Sequence, residues 1–284
     1  MGKRDSYWDT LKFVLIFIVV YGHVLAIDNE EGSVNRAVFN LIFCFHMPLF
    51  VFISGRFSQV NDEKRYKIGI LRLAETYIVF QLLHTLRRFI VGKGIFTLSH
   101  FFVYQEVTMW YLLCLIYWRL IVILTFKYSI KRPIFIETVI LLSFAVSLIS
   151  GFIPIEGEFS FQRACSFWPF FLMGYYSKNV DVKKIIDKRL GYKSAVGGIL
   201  VIFLLIYLFF NRDFPILTGA ISYINEGMLD KELIGGRMLF IIAATALSAF
   251  VMRVVGGGRV IKYFLTGADI RCSSIFTICS SLLV

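Results

Sequence analysis

Paired cysteines are missing from this chain. Its five cysteines, Cys44, Cys114, Cys165, Cys272 and Cys279, fall inside or beside apolar runs and form no CxxC pair, so neither a disulfide framework nor a zinc site is implied. No phosphate-cradling glycine loop, no HExxH and no GxSxG occurs either, which leaves serine-nucleophile chemistry without support. Acidic residues are scarce, 19 against 30 Lys and Arg, and all charged residues together make up 17% of the chain. No soluble domain, low-complexity tract or internal repeat interrupts the sequence. The first apolar run lacks a small-residue cleavage site and is followed by many others, so it reads as a retained helix rather than a secretory signal.

What is abundant is apolar surface. With 58% hydrophobic and 17% aromatic residues and a mean hydropathy of +0.74, a soluble domain of 284 residues could not hide it. Runs long enough to span a bilayer, or nearly so, occupy about residues 7–27, 37–55, 68–91, 109–126, 134–153, 164–177, 195–211 and 237–255. They predict an all-α, polytopic transmembrane bundle of about eight helices. A net charge of +11 would suggest nucleic acid in a soluble protein, but here the bases gather in alternate loops: Lys3 and Arg4; Arg56, Lys64, Arg65 and Lys67; Lys127, Lys131 and Arg132; then Lys178 to Lys193. The positive-inside rule puts those loops and the N-terminus in the cytoplasm, facing anionic headgroups. No nucleic-acid partner is needed.

Ionisable residues within such runs are costly and mark candidate sites. Lys12 and His23 stand eleven positions apart in "LKFVLIFIVVYGH". That separation is about three helical turns, so the two share one face and their Cα atoms lie roughly 16 Å apart along the axis. For His23 two readings stand, a group that takes and returns a proton at neutral pH or a hydrogen-bonded core histidine. For Lys12 they are a snorkelling anchor or a contact for an anion arriving from the cytosol. In "FCFHMPLFVFISGRF", Pro48 frees the carbonyl of Cys44 and predicts a kink beside His46, while Ser54 and Gly55 allow close approach of a helix or ligand. Glu106, Trp110 and Arg163 flank later spans: Trp110 and Arg163 read as interfacial anchors, or Glu106 and Arg163, with His23, His84 and Glu158, line a polar vestibule in the outer half.

These blocks resemble the acyltransferase 3 family of membrane O-acyltransferases, whose hallmark is a basic residue, ten intervening residues and a histidine. "YWDTLKFVLIFIVVYGHV" is similar to that family's first helix and "FHMPLFVFISGRF" to its second. "MWYLLCLIYWRL" and "SFQRACSFWPFFLMGYYSKN" are closest to the fucose 4-O-acetylase-like branch. The resemblance covers roughly residues 5–265, in four blocks in the family's order. It implies an enzyme of the plasma membrane that moves an acyl group, by default acetyl from acetyl-CoA, to a hydroxyl of a cell-envelope carbohydrate, with no metal. By the same resemblance His23 matches the essential base and Lys12 the basic partner near the CoA end. Ser54 and Gly55 join Lys12 as donor-binding positions, and His46, Glu106, Trp110 and Arg163 match substrate or supporting positions.

Two departures stand out. Lysine occupies the position where the family more often has arginine, and it lacks arginine's bidentate fork. The family commonly has about ten helices and a Gly, Thr or Ser, Leu, Tyr and His pattern in the ninth, whereas "GADIRCSSIFTICSSLLV" has none of it. The expected organisation is therefore an acyltransferase domain over residues 1–265 and an atypical segment over 266–284, of the kind a truncated or frame-shifted product would carry. A proton-coupled transporter or flippase of an envelope precursor, using Lys12, His23 and His46 as its path, and an inactive remnant are the alternative readings.

Overall fold

The computed structural model describes residues 5–28, 30–91, 101, 103, 109–129, 133–155, 157–211, 215–223 and 230–257. Their elements are α1 (Ser6–Leu25), α2 (Val34–Phe57), α3 (Glu63–Ile90), α4 (Trp110–Ser129), α5 (Pro133–Ile149), α6 (Phe161–Tyr176), α7 (Val182–Arg189), α8 (Tyr192–Phe209) and α9 (Asp230–Gly257). Single 3-10 turns lie at Ser150–Phe152 and Pro215–Thr218. The fold is an all-α bundle, and its helices cover all eight apolar runs. Among the described residues five segments are long and apolar enough to cross a bilayer: Ser6–Leu25, Val34–Phe57, Phe135–Phe152, Tyr192–Phe209 and Ile234–Gly257. Trp110–Thr125 is apolar but shorter, α6 has only 16 residues, and α3 carries charge along both its ends. The chain is thus a multi-pass membrane protein. The expected boundary at residue 266 and the segment after it lie outside the described residues.

Several helices start where short acceptor side chains can cap them. Asp5, Ser33, Asp62 and Asp181 each accept a backbone N–H from the first turn of the helix that follows. Burial then ranks the helices by position. Along α2 buried residues occur on every side, including Asn40, His46, Pro48, Ser54 and Gly55, whereas α8 buries Ala195 alone. Hence α2 is the axis of the bundle and α8 a peripheral, lipid-facing helix. α1 buries a single stripe, Trp8, Leu11, Leu15, Gly22 and Leu25, at helical spacing against α2 and α9.

The closest packing is between α2 and α6. A Cβ on Gly55 would sit 2.0 Å from the Phe171 carbonyl oxygen, and one on Gly174 would sit 1.9 Å from that of Phe52. The two backbones therefore touch at a crossing that only glycine permits on each side. Arg56 locks the adjacent C-terminal ends: its guanidinium donates to the carbonyls of Ser177 and Val180 and to Ser177 Oγ, and lies 4.6 Å over the Trp8 ring.

A second polar clamp sits at the opposite end of the bundle. Arg237 of α9, 3% exposed, donates to the Ser147 carbonyl at 2.8 Å, the Ile221 carbonyl at 2.9 Å and Ser150 Oγ at 3.2 Å. Gln162 adds bonds to the carbonyls of Ser150 and Ile153. Arg237→Ala removes the guanidinium from three acceptors, the carbonyls of Ser147 and Ile221 and Ser150 Oγ. It is expected to destabilise the protein by about 3 kcal/mol, since bonds from a charged donor are worth roughly 1.5–3 kcal/mol each and part is recovered by water. Thermal unfolding in detergent measures the loss.

Candidate active site

Lys12 and Ser54 meet at the end of the bundle formed by the start of α1 and the end of α2. Together with Phe50, Ile53 and Phe57 they line a small pocket of about 10 Å³, room for a single water-sized group. Lys12 Nζ lies 3.7 Å over the Phe57 ring, and that ring meets Trp8 edge-on at 6.2 Å. An ammonium on an aromatic face is attracted by the ring's quadrupole. Ser54 Oγ bonds the Phe50 carbonyl at 2.8 Å and the Tyr111 hydroxyl at 2.5 Å. Gly55 faces α6 rather than this pocket, and its role in the described structure is the backbone crossing.

Higher on the same two helices stand the histidines. His46 is 3% exposed, and its Nδ1 lies 2.8 Å from the Ile42 carbonyl. A carbonyl can only accept, so Nδ1 carries a proton. Phe43 stands between the two imidazoles, 4.7 Å from the His46 ring and 6.0 Å from that of His23, edge-on to both. His23 itself is exposed, as are its neighbours Val20, Tyr21 and Val24. Ionisable residues in spans usually face the bundle interior, and this ring does not. The buried stripe of α1 passes through Gly22, and the next position round the helix falls outside it.

Trp110 and Arg163 form a third group. The Arg163 guanidinium sits 5.0 Å over the Trp110 ring, with Nε 3.4 Å from the Thr218 carbonyl, and Trp110 stacks on Phe167 at 5.6 Å. Tyr111 follows directly, so the first turn of α4 connects Arg163 and Trp110 to Ser54, near the last turn of α2. The structure thus brings Lys12 to Ser54, His23 to His46 through Phe43, and Arg163 to Trp110. Glu106 lies outside the described residues. Among the described residues no group of three His, Cys, Asp or Glu side chains converges on a common point where a metal could sit.

Sequence reasoning passed over two groups, the half-buried Tyr111 and the buried Arg119. Tyr111 sits within an aromatic run where nothing distinguishes one hydroxyl from its neighbours. Arg119, only 2% exposed, donates through Nε to Ser58 Oγ at 3.1 Å and lies 5.8 Å over the Tyr66 ring. A cation inside the apolar run of α4 is a signal of the same kind that singled out Lys12 and His23.

Comparison with known proteins identifies the family. A family model described as an acyltransferase domain matches residues 5–268. Nodulation protein NolL of Sinorhizobium fredii is 40% identical over 57 residues, which cover 19% of this chain and 16% of NolL. No solved structure matches the chain.

Proposed function

The chain belongs to the acyltransferase family whose model spans it, and on that premise we propose that this membrane O-acyltransferase moves acetyl from acetyl-CoA to a hydroxyl of a cell-envelope carbohydrate. One observation carries the reading. On a single face of α1 a cation held in a pocket at one end is followed, about three turns on, by an imidazole that the bundle leaves open. Lys12 would take the charged or polar part of the donor at the cytoplasmic end, and the roughly 16 Å to His23 suits a long thioester arm reaching inward. An exposed ring can meet an acceptor that comes from outside the protein. A ring sealed in the core could not.

The reaction follows from general acid–base chemistry. The His23 imidazole takes the proton of the acceptor hydroxyl as its oxygen attacks the thioester carbonyl carbon; the carbon–sulfur bond then breaks and the imidazolium returns the proton to the departing thiolate. His46, held by Ile42 and separated from His23 by Phe43, supports the wall behind the base. Trp110 and Arg163, joined to Ser54 through the first turn of α4, would support the donor end of the site. The basic loops favour a cytoplasmic N-terminus and a plasma-membrane location, and residues 1–265 act as one unit.

Membranes containing the protein, given labelled acetyl-CoA, are expected to transfer label to envelope glycan; glycan that stays unlabelled refutes the proposal. Lys12→Ala is expected to raise the KM for the donor about 10- to 100-fold, the loss of one charge-assisted contact, with kcat little changed. Lys12→Arg should keep the donor KM within a few-fold of wild type. A donor KM untouched by Lys12→Ala removes Lys12 from the site.

A further inference from the structure

We propose that the cleft between α2, α8 and α9 is a lipid site that holds one hydrocarbon chain of a bilayer phospholipid, independently of the reaction assigned above. The cleft has a volume of about 260 Å³ and is walled by Ile202, Leu205 and Ile206 of α8, Ala243 and Ala246 of α9 and Cys44 of α2. Its origin lies in how α8 is fastened. At one end of α8, Asn40 Nδ2 donates to the Phe210 carbonyl at 2.9 Å, and the Gly32 N–H to that of Asn211 at 3.0 Å. At the other end Gly198 meets the Phe250 ring so closely that a Cβ there would lie 2.4 Å from it. Between the two fastenings α9 presents Leu239, Ala243, Ala246 and Phe250 on one face, at steps of four, three and four. The phenylalanine reaches α8 and the alanines fall short, so the gap opens beside them.

What fills the gap follows from its depth, chemistry and size. All three helices supply segments long and apolar enough to cross a bilayer. On the wall of the cleft, Ile202 to Phe210 span about 12 Å of helix, close to half of a ~30 Å hydrocarbon core, so the cleft occupies one leaflet from the end of α8 to the midplane. Leu205, Leu239 and Ile242 form its rim and are 47%, 48% and 63% exposed, so it opens sideways into hydrocarbon. Water gains little there, because Asn40 already gives its amide to Phe210 and apolar cavities stay dry. A helix of another copy, about 10 Å across, needs several times the volume over that length. An alkyl chain fits: a cavity of about 150 Å³ takes a six-carbon ring, so 260 Å³ takes roughly ten carbons of a chain. Seated there, the chain restores the dispersion contacts that the gap forfeits and completes the packing of α2, the axis of the bundle.

The test uses the full-length protein in phosphatidylglycerol vesicles holding a trace of the same lipid with a photoactivatable diazirine midway along one acyl chain. On irradiation, label is expected to concentrate on Ile202, Leu205 and Ala243, above Leu204 and Leu208, which are exposed to the same leaflet outside the cleft. Ala243→Leu or Ala246→Leu, each adding three carbons to the cleft, should lower the label on Ile202 and Leu205 at least about tenfold and leave Leu204 and Leu208 as they were. In detergent, returning phosphatidylglycerol to delipidated wild-type protein should raise the melting temperature by about 5 °C, and the leucine variants should gain little. Label spread evenly round α8 at that depth, or undiminished in both leucine variants, overturns the site. So does a cleft that stays unlabelled, as it would under a second copy of the chain. The wild-type distribution decides alone if the variants do not accumulate.

Discussion

Replacing His23 with alanine is expected to lower acetyl transfer by about 10²- to 10⁴-fold, the range of a lost general base, while the protein inserts and accumulates as before. The two halves of that expectation have separate causes. Accumulation is unaffected because the ring is exposed and its packing is one edge-on contact with Phe43 at 6.0 Å, so its removal opens no cavity in the core. Transfer fails because nothing else on that face of α1 can accept a proton, Ile16 and Val19 being the intervening positions. CoA affinity should stay at wild type, since the pocket at Lys12 lies about 16 Å away along the helix. Radiolabel incorporation and CoA binding on the same preparation separate these effects, and normal transfer by the variant defeats the assignment.

Gly174→Ala is expected to be the most damaging of small substitutions. Overpacking a core with one extra carbon commonly costs about 1–3 kcal/mol, because neighbouring side chains can shift. Here the obstacle is the Phe52 carbonyl oxygen, 1.9 Å from the new Cβ and part of the α2 backbone, so the helices themselves must move apart. That separation also strains the Arg56 bonds to Ser177 and Val180. A loss of at least about 3 kcal/mol is expected, beyond the common range, and Gly55→Ala should match it from the other side. Gly197→Ala on α8 is the control, as nothing lies within 4 Å of its added Cβ. Comparable melting temperatures for the 174 and 197 variants would mean that α2 and α6 do not touch as described.

Much of this architecture could be read in the residues before any coordinates. Uninterrupted apolar length announced α1, α2, α5, α8 and α9, because a helix that must satisfy its own backbone in lipid needs about 20 such residues. The eight-residue α7 was missed for the opposite reason, being too short and too basic to stand out from a loop. At the site, spacing along one helix was legible and neighbours across helices were not. The eleven-residue step from Lys12 to His23 predicts a shared face, yet whether that face is covered depends on how α1 rolls against α2 and α9. Gly55 could equally have welcomed a ligand or a helix, and only Gly174 opposite decides for the helix. Ser54 was visible as a small polar residue, but its partner Tyr111 lies 57 positions away in an aromatic run.

Finally, α3 bears on the lipid around the bundle. Its exposed Glu75 and Arg87 are twelve residues apart, about 18 Å of helix, and Val79, Leu82, Leu83 and Leu86 between them face outward. An undistorted hydrocarbon slab is about 30 Å thick. With Ile68 and Leu71 exposed before Glu75, and Phe89 and Ile90 exposed after Arg87, the outward apolar surface of α3 runs about 33 Å along the helix, comparable with that slab.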